Sequence, residues 1–141
     1  WYFARDQRFS VSGFFKKIDK PIETFISLEA DNFITSFANA PKAQLYGGEV
    51  EVQKYFDLAD WSSDDFFATR RIVAIANYTY TKSKLQVRDG DTVAVFGASS
   101  TLASDYFRDG SALTGQSDHL VNLQLGVEDT AALSQVTLLF N

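Results

Sequence analysis

The chain contains no cysteine and no methionine, and only two prolines and one histidine among its 141 residues. Without cysteine there is no disulfide framework, no thiolate zinc site and no cysteine nucleophile. The missing methionine includes the initiator. A chain opening Trp1-Tyr2-Phe3 is therefore expected to be processed or a piece of a longer protein, and we favour the piece. A basic excess is also lacking: thirteen Lys and Arg face eighteen Asp and Glu, a net charge of −5. That balance argues against a nucleic-acid partner, which calls for a basic face. No signal peptide is visible, because Arg5, Asp6 and Arg8 stand where an apolar core would be. The longest aliphatic stretch is Ile72-Val73-Ala74-Ile75-Ala76, far short of the ~20 apolar residues of a spanning helix. Gly-rich phosphate cradles, nucleophile elbows and aromatic-plus-basic strips are missing as well. The length fits a single domain over 1–141.

What is present is alternation with period two. In Arg71–Ser83 the even positions Ile72, Ala74, Ala76, Tyr78 and Tyr80 are apolar or aromatic. The odd positions turn polar from Asn77 through Thr79, Thr81 and Ser83. Successive side chains of a strand point to opposite faces, so this segment is a strand with one greasy face. Gln44–Lys54 sets Tyr46, Gly48, Val50 and Val52 against Glu49, Glu51 and Gln53. Leu120–Glu128 sets Val121, Leu123, Leu125 and Val127 against Asn122, Gln124, Gly126 and Glu128. Ser134–Asn141 opposes Val136, Leu138 and Phe140 to Gln135, Thr137 and Asn141, with Leu139 an exception. Phe9–Lys17 opposes Phe9, Val11 and Phe15 to Ser10, Ser12 and Lys16, with Phe14 misplaced. Phe33–Asn39 is a sixth candidate, and Asp57–Asp65 a turn of helix.

The connectors differ in character. Ala4–Gln7, Asp57–Asp65 and Asp129–Ala132 are short and polar, as hairpin turns are. Lys84–Asp118 is long and rich in Gly, Ser, Asp and Thr, with a turn signal at Arg88-Asp89-Gly90-Asp91 and an apolar patch at Val93–Phe96. Glu23–Asn39 is a second, shorter excursion. Long loops of this kind are uncommon in compact domains unless functional.

The apolar faces must be covered. In a soluble sandwich a second sheet does so. In a membrane barrel lipid does, and aromatics gather at both ends of the apolar band. Tyr78 and Tyr80, Tyr55 and Phe56, and Phe66 and Phe67 all stand where strands terminate. Strands of about 9–11 tilted residues match a bilayer's hydrocarbon thickness. Alternation alone is common to every half-buried sheet and leaves both readings open.

Four pieces of the chain, in order, resemble the C-terminal barrel of TonB-dependent outer-membrane receptors. They are Gly13-Phe14-Phe15-Lys16-Lys17-Ile18 with Pro21-Ile22-Glu23, then Asn39-Ala40-Pro41 through Leu45-Tyr46-Gly47-Gly48-Glu49-Val50-Glu51. Next come Asn77-Tyr78-Thr79-Tyr80-Thr81-Lys82-Ser83 and Leu113-Thr114-Gly115-Gln116-Ser117-Asp118-His119-Leu120-Val121-Asn122-Leu123. The resemblance covers nearly the whole chain. It implies an all-β fold of antiparallel up-and-down strands, an incomplete segment of a transmembrane β-barrel in the outer membrane of a Gram-negative bacterium. Phe9–Ile22 and Arg71–Lys84 would run outward, and Phe37–Tyr55 and Ser117–Glu128 back. Short turns would face the periplasm, while Glu23–Asn39 and Lys84–Asp118 would be extracellular loops.

On this reading Glu49, Glu51, Asn77, Thr79, Asn122 and Gln124 face the lumen. Val50, Val52, Tyr78, Leu123, Leu125, Val136 and Leu138 face lipid. Glu49 and Glu51 would meet a wet lumen or a plug domain's polar surface. A catalytic role for carboxylates two apart on a strand is the weaker reading, and no enzyme activity or cofactor is expected. Gly47 and Gly48 are expected to leave room for a bend or a close backbone, and Pro41 to kink its strand. Tyr106, Arg108, Asp109, Asp118 and His119 are the candidates for ligand contact at the mouth. For Tyr106 through Asp109 the blander alternative is packing of the loop, and for His119 a hydrogen bond at the strand start. One histidine with Asp118 makes no metal site without distant ligands.

The implied function is part of an active transporter for a scarce nutrient such as a ferric siderophore, cobalamin or carbohydrate. Its partners would be outer-membrane lipid, the nutrient, and the TonB energy-coupling complex through an N-terminal region absent from this chain. Five or six strands fall short of the ~8 that close a membrane barrel. The alternatives are a soluble antiparallel β-domain binding carbohydrate or protein, and the wall of a diffusion porin.

Overall fold

A computed structural model of the chain describes residues 1–29, 32–95, 97 and 100–141. Phe96, at the end of the apolar patch, and Ala30 and Asp31, within the Glu23–Asn39 excursion, lie outside the described residues. The fold is all-β and antiparallel. Its strands are β1 (Tyr2–Ala4), β2 (Gln7–Asp19), β3 (Ile22–Glu29), β4 (Asn32–Asn39), β5 (Lys42–Asp57), β6 (Arg70–Gln86), β7 (His119–Asp129) and β8 (Ser134–Phe140). One sheet has the order β1-β2-β5-β6-β7-β8, and β3 and β4 pair in a second. The larger sheet is open, with β1 and β8 at its edges. The expected turn of helix shrinks to a single 3₁₀ turn at Leu58–Asp60. Among the described residues no helix is long and apolar enough to cross a membrane, which says nothing about strands.

Contacts divide the chain into two compact units. The first comprises 1–13, 48–80 and 119–141. Here the β6–β7 register pairs Ile72 with Val127, Ala74 with Leu125, Ala76 with Leu123 and Tyr78 with Val121. The β7–β8 register continues it through Val127–Val136, Leu125–Leu138 and Leu123–Phe140. Directly paired residues share a face, so the apolar positions form one continuous surface and β-branched Ile72, Val121, Val127 and Val136 suit the pleat. Leu139, the exception to the alternation, pairs with Gln124 on the other face.

A side chain would be crowded in this unit at Gly126 and not at Gly48. A Cβ at Gly126 would stand 3.0 Å from the Val136 carbonyl oxygen and 3.1 Å from Thr137 Oγ1. At Gly48 it would meet the Ser12 carbonyl oxygen at an ordinary 3.5 Å. The backbone that Gly48 faces, at Ser12, is thus at a distance that a side chain would tolerate.

The second unit comprises 14–47 and 81–118. Phe33–Asn39, the sixth strand candidate, is β4, and it pairs with the unexpected β3 in a hairpin of eight residue pairs from Ile22–Asn39 to Glu29–Asn32 in unbroken register. Two prolines delimit it. The Ala40 N–H donates to the Pro21 carbonyl at 2.8 Å, and the Lys20 N–H to the Pro41 carbonyl at 3.2 Å. Proline offers no N–H to a ladder, so the ladder ends at these two bonds and the hairpin begins as a separate sheet. Pro41 stands at a bend between β4 and β5, so it interrupts the Phe37–Tyr55 run as expected.

This unit has an interior. Phe25, Ala38, Ala40, Ala43, Leu85, Val93, Ala103 and Phe107 are all buried, with Ile18, Tyr106 and Leu113 packed against them. Phe25 meets Tyr106 and Phe107 edge-on, at centroid distances of 5.2 and 6.3 Å. Hydrogen bonds tie the hairpin to the long segment. The buried Glu23 carboxylate accepts the Thr114 N–H at 2.9 Å, and the Thr24 and Thr114 hydroxyls lie 3.1 Å apart.

Candidate functional site

In the first unit the polar residues of one face form three hydrogen-bonded or ion-paired groups. The Asn77 amide donates to the Glu49 carboxylate. Its own oxygen accepts from Asn122 at 3.3 Å and from the Thr79 hydroxyl at 3.4 Å. Glu51 pairs with Arg8, and Glu128 accepts from Arg71 Nε at 2.7 Å. The Gln53 amide reaches the Tyr55 hydroxyl and the Asp6 carbonyl, each at 3.2 Å. The Arg71 guanidinium lies 4.3 Å from the Tyr55 ring centre. Four of the six residues expected in the lumen (Glu49, Asn77, Thr79 and Asn122) thus share one hydrogen-bonded cluster. Glu51 belongs to the same face, and Gln124 is in register between Ile75 and Leu139.

Arg8 and Arg71 belong to this face, although the sequence reading did not assign them there. The signal was available: Arg8 has the parity of Ser10 and Ser12, and Arg71 that of Asn77 and Thr79. Both are balanced locally, whereas Glu49 enters no ion pair among the described residues.

The opposite face of the same strands is apolar and open. Val50, Val52 and Tyr78 are 37–41% exposed, and Leu123 and Leu125 are 46% and 54%. On the edge strand Val136 and Leu138 reach 75% and 73%. Aromatic groups stand toward both ends of this surface, although Tyr78 and Tyr80 fall within β6 and not at its end as expected. At one end the Tyr78 hydroxyl lies 2.8 Å from His119 Nδ1, and the Tyr80 ring centre is 5.2 Å from that of His119. At the other, Phe56 lies against Trp61 at 6.4 Å, and the Arg70 guanidinium covers Phe66 at 4.0 Å.

The turn after β7 is a carboxylate clamp. Asp129 Oδ1 accepts the Ala131 and Ala132 N–H groups at 3.1 Å and the Thr69 hydroxyl at 3.0 Å. Arg70 Nη2 is 2.9 Å from Asp129 Oδ2. The Ala132 N–H contributes most to holding this carboxyl below its ordinary value, followed by Thr69, Ala131 and Arg70, with partial desolvation opposing them.

The five residues expected at a ligand mouth have separate occupations. In the second unit Tyr106 packs on Phe25 and donates its hydroxyl to the Ser100 carbonyl at 2.8 Å. Asp109 accepts the Val87 N–H at 2.9 Å, Arg108 is exposed, and Asp118 pairs with Lys82. His119 belongs to the first unit and stands with Tyr78 and Tyr80. Phe107, buried in the core, follows the packing alternative. Among the described residues no group of three or more His, Cys, Asp or Glu side chains is arranged to hold a metal.

Comparison of the chain with protein-family models, curated proteins and solved structures gives no match.

Proposed function

We propose that the chain is a stretch of the barrel wall of a TonB-dependent receptor in the outer membrane of a Gram-negative bacterium. It is a non-enzymatic scaffold in the energy-driven uptake of a scarce nutrient, of the ferric siderophore, cobalamin or carbohydrate kind. The observation that carries this reading is the two-sidedness of the first unit. One face carries hydrogen-bonded and ion-paired groups of Asn, Thr, Glu and Arg. The other is an apolar surface, open to its surroundings, with aromatic residues toward both ends.

The dimensions support a bilayer. From Arg70 to Tyr80 there are ten residue steps, about 33 Å along a strand at ~3.3 Å per step. Tilted by about 40°, that run stands about 25 Å tall, the height of the apolar band of such barrels. Lipid would cover Val50, Leu123 and Val136, which a closed soluble core would have to bury. The polar face would hold a plug, with Glu49, which enters no ion pair among the described residues, as a carboxylate for a cationic group of it. Coupling to the TonB complex would belong to an N-terminal region outside this chain.

Cell fractionation tests the reading. The chain should sediment with outer membranes and leave them only into detergent. A well-folded monomer recovered without detergent would establish the soluble β-domain instead.

A further inference from the structure

We propose that the apolar face carries a seat for one acyl chain of an anionic phospholipid, with Lys54 holding the headgroup phosphate. This rests on the membrane reading above.

The seat follows from an alternation of small and large side chains across three strands. Ala74 and Ala76 of β6 stand directly opposite Leu125 and Leu123 of β7. The alanines form a floor and the leucines one wall, with Val52 and Phe56 of β5 as the other wall. Leu138 and Phe140 of β8 back the leucine wall, Ile75, Gln124 and Leu139 complete the lining, and the volume is about 480 Å³. That lies within the ~300–1,000 Å³ of small-ligand sites, which combine apolar lining with few polar groups. In a bilayer such a depression must be filled, because an empty one forfeits dispersion contacts along its whole lining. A flexible hydrocarbon chain can follow an open trough.

Charge complementarity selects the headgroup. Lys54 is the one charged residue lining the trough. Its Nζ rests 4.8 Å from the Phe56 ring centre, and it forms no ion pair with the described residues. Phe56 in turn lies against Trp61, 66% exposed. A lysine lying along apolar surface carries its ammonium to the interface, where aromatic rings also settle. An ammonium there attracts a negatively charged headgroup over a neutral one by about fivefold.

Native mass spectrometry of the full chain in mild detergent tests this, with phosphatidylglycerol or phosphatidylcholine of identical acyl chains added. One phosphatidylglycerol is expected to be retained about fivefold in preference to phosphatidylcholine. Lys54→Gln should keep a lipid and lose the preference. Ala76→Phe fills the floor and should lose the lipid, with strand content checked by circular dichroism. Should that variant fail to fold, Ala74→Leu serves the same purpose. Equal retention of both lipids by the wild type would overturn the proposal, as would a filled-floor variant that still retains one. A dimer seated on this face without lipid would overturn it too. A chain that needs detergent but shows no selectivity sinks only the lipid seat, whereas a folded monomer without detergent sinks the membrane reading.

Discussion

The two compact units solve the problem of apolar side chains in opposite ways. The unit of 14–47 and 81–118 gathers Phe25, Ala38, Leu85, Val93 and Phe107 into an interior. The unit of 1–13, 48–80 and 119–141 buries only Leu58 and Val73 among its described hydrophobic residues and leaves Val50, Leu123, Leu125 and Val136 on an open face. A chain that folds in water cannot leave so large an apolar surface uncovered without inviting association. The contrast teaches that the second unit carries a core of its own, whereas the first leaves its apolar face open.

That difference is sharpened most by truncating the interior. Phe25→Ala removes a ring that is 5% exposed and touches two other aromatics. It should cost about 3–5 kcal/mol, measured by denaturant unfolding of the folded chain in detergent. Next in size is Leu125→Arg on the open face, expected to cost about 2–4 kcal/mol if that face meets the middle of a bilayer. Folding yield into lipid vesicles reads this out. A substitution that proved neutral there would break the comparison, because a solvated face tolerates arginine. Smaller again is Asn77→Ala, which disconnects Glu49, Thr79 and Asn122 at once. We expect about 1–2 kcal/mol, the scale of a few partly exposed hydrogen bonds, and faster amide exchange in β6.

The smallest effect concerns acid. The Asp129 carboxyl is held below its ordinary 3.8, so the turn's stabilisation is complete above that value. It is lost as the pH falls from there through the lowered folded value. Asp129→Asn should flatten this acid dependence, monitored as the unfolding midpoint between pH 5 and 2.

The strands of the first unit were legible because each has one polar side and one apolar side. Arg71–Ser83, Leu120–Glu128 and Ser134–Asn141 fall within a residue or so of β6, β7 and β8, apart from the three further residues of β6. β3 escaped because both its faces carry apolar groups. Ile22 and Ile26 are exposed on one and Phe25 is buried on the other, so Ile22–Glu29 shows no clean alternation. β1, three residues long, is too short to show a period. The misplaced Phe14 has the parity of Ile18, which packs on the core of the second unit. The polar face was half visible. Parity placed Glu49, Asn77 and Asn122 together, but the pairing of Arg8 with Glu51 joins residues 43 apart in sequence. For the same reason the joining of Glu23 to Thr114, 91 residues on, left no local trace.

The paired interruption at Pro21 and Pro41 acts as a firebreak in the zipper of main-chain bonds. Beyond it the eight pairs of the hairpin are anchored by side chains, with Phe25 and Ala38 in the core of the unit and Glu23 and Thr24 on Thr114.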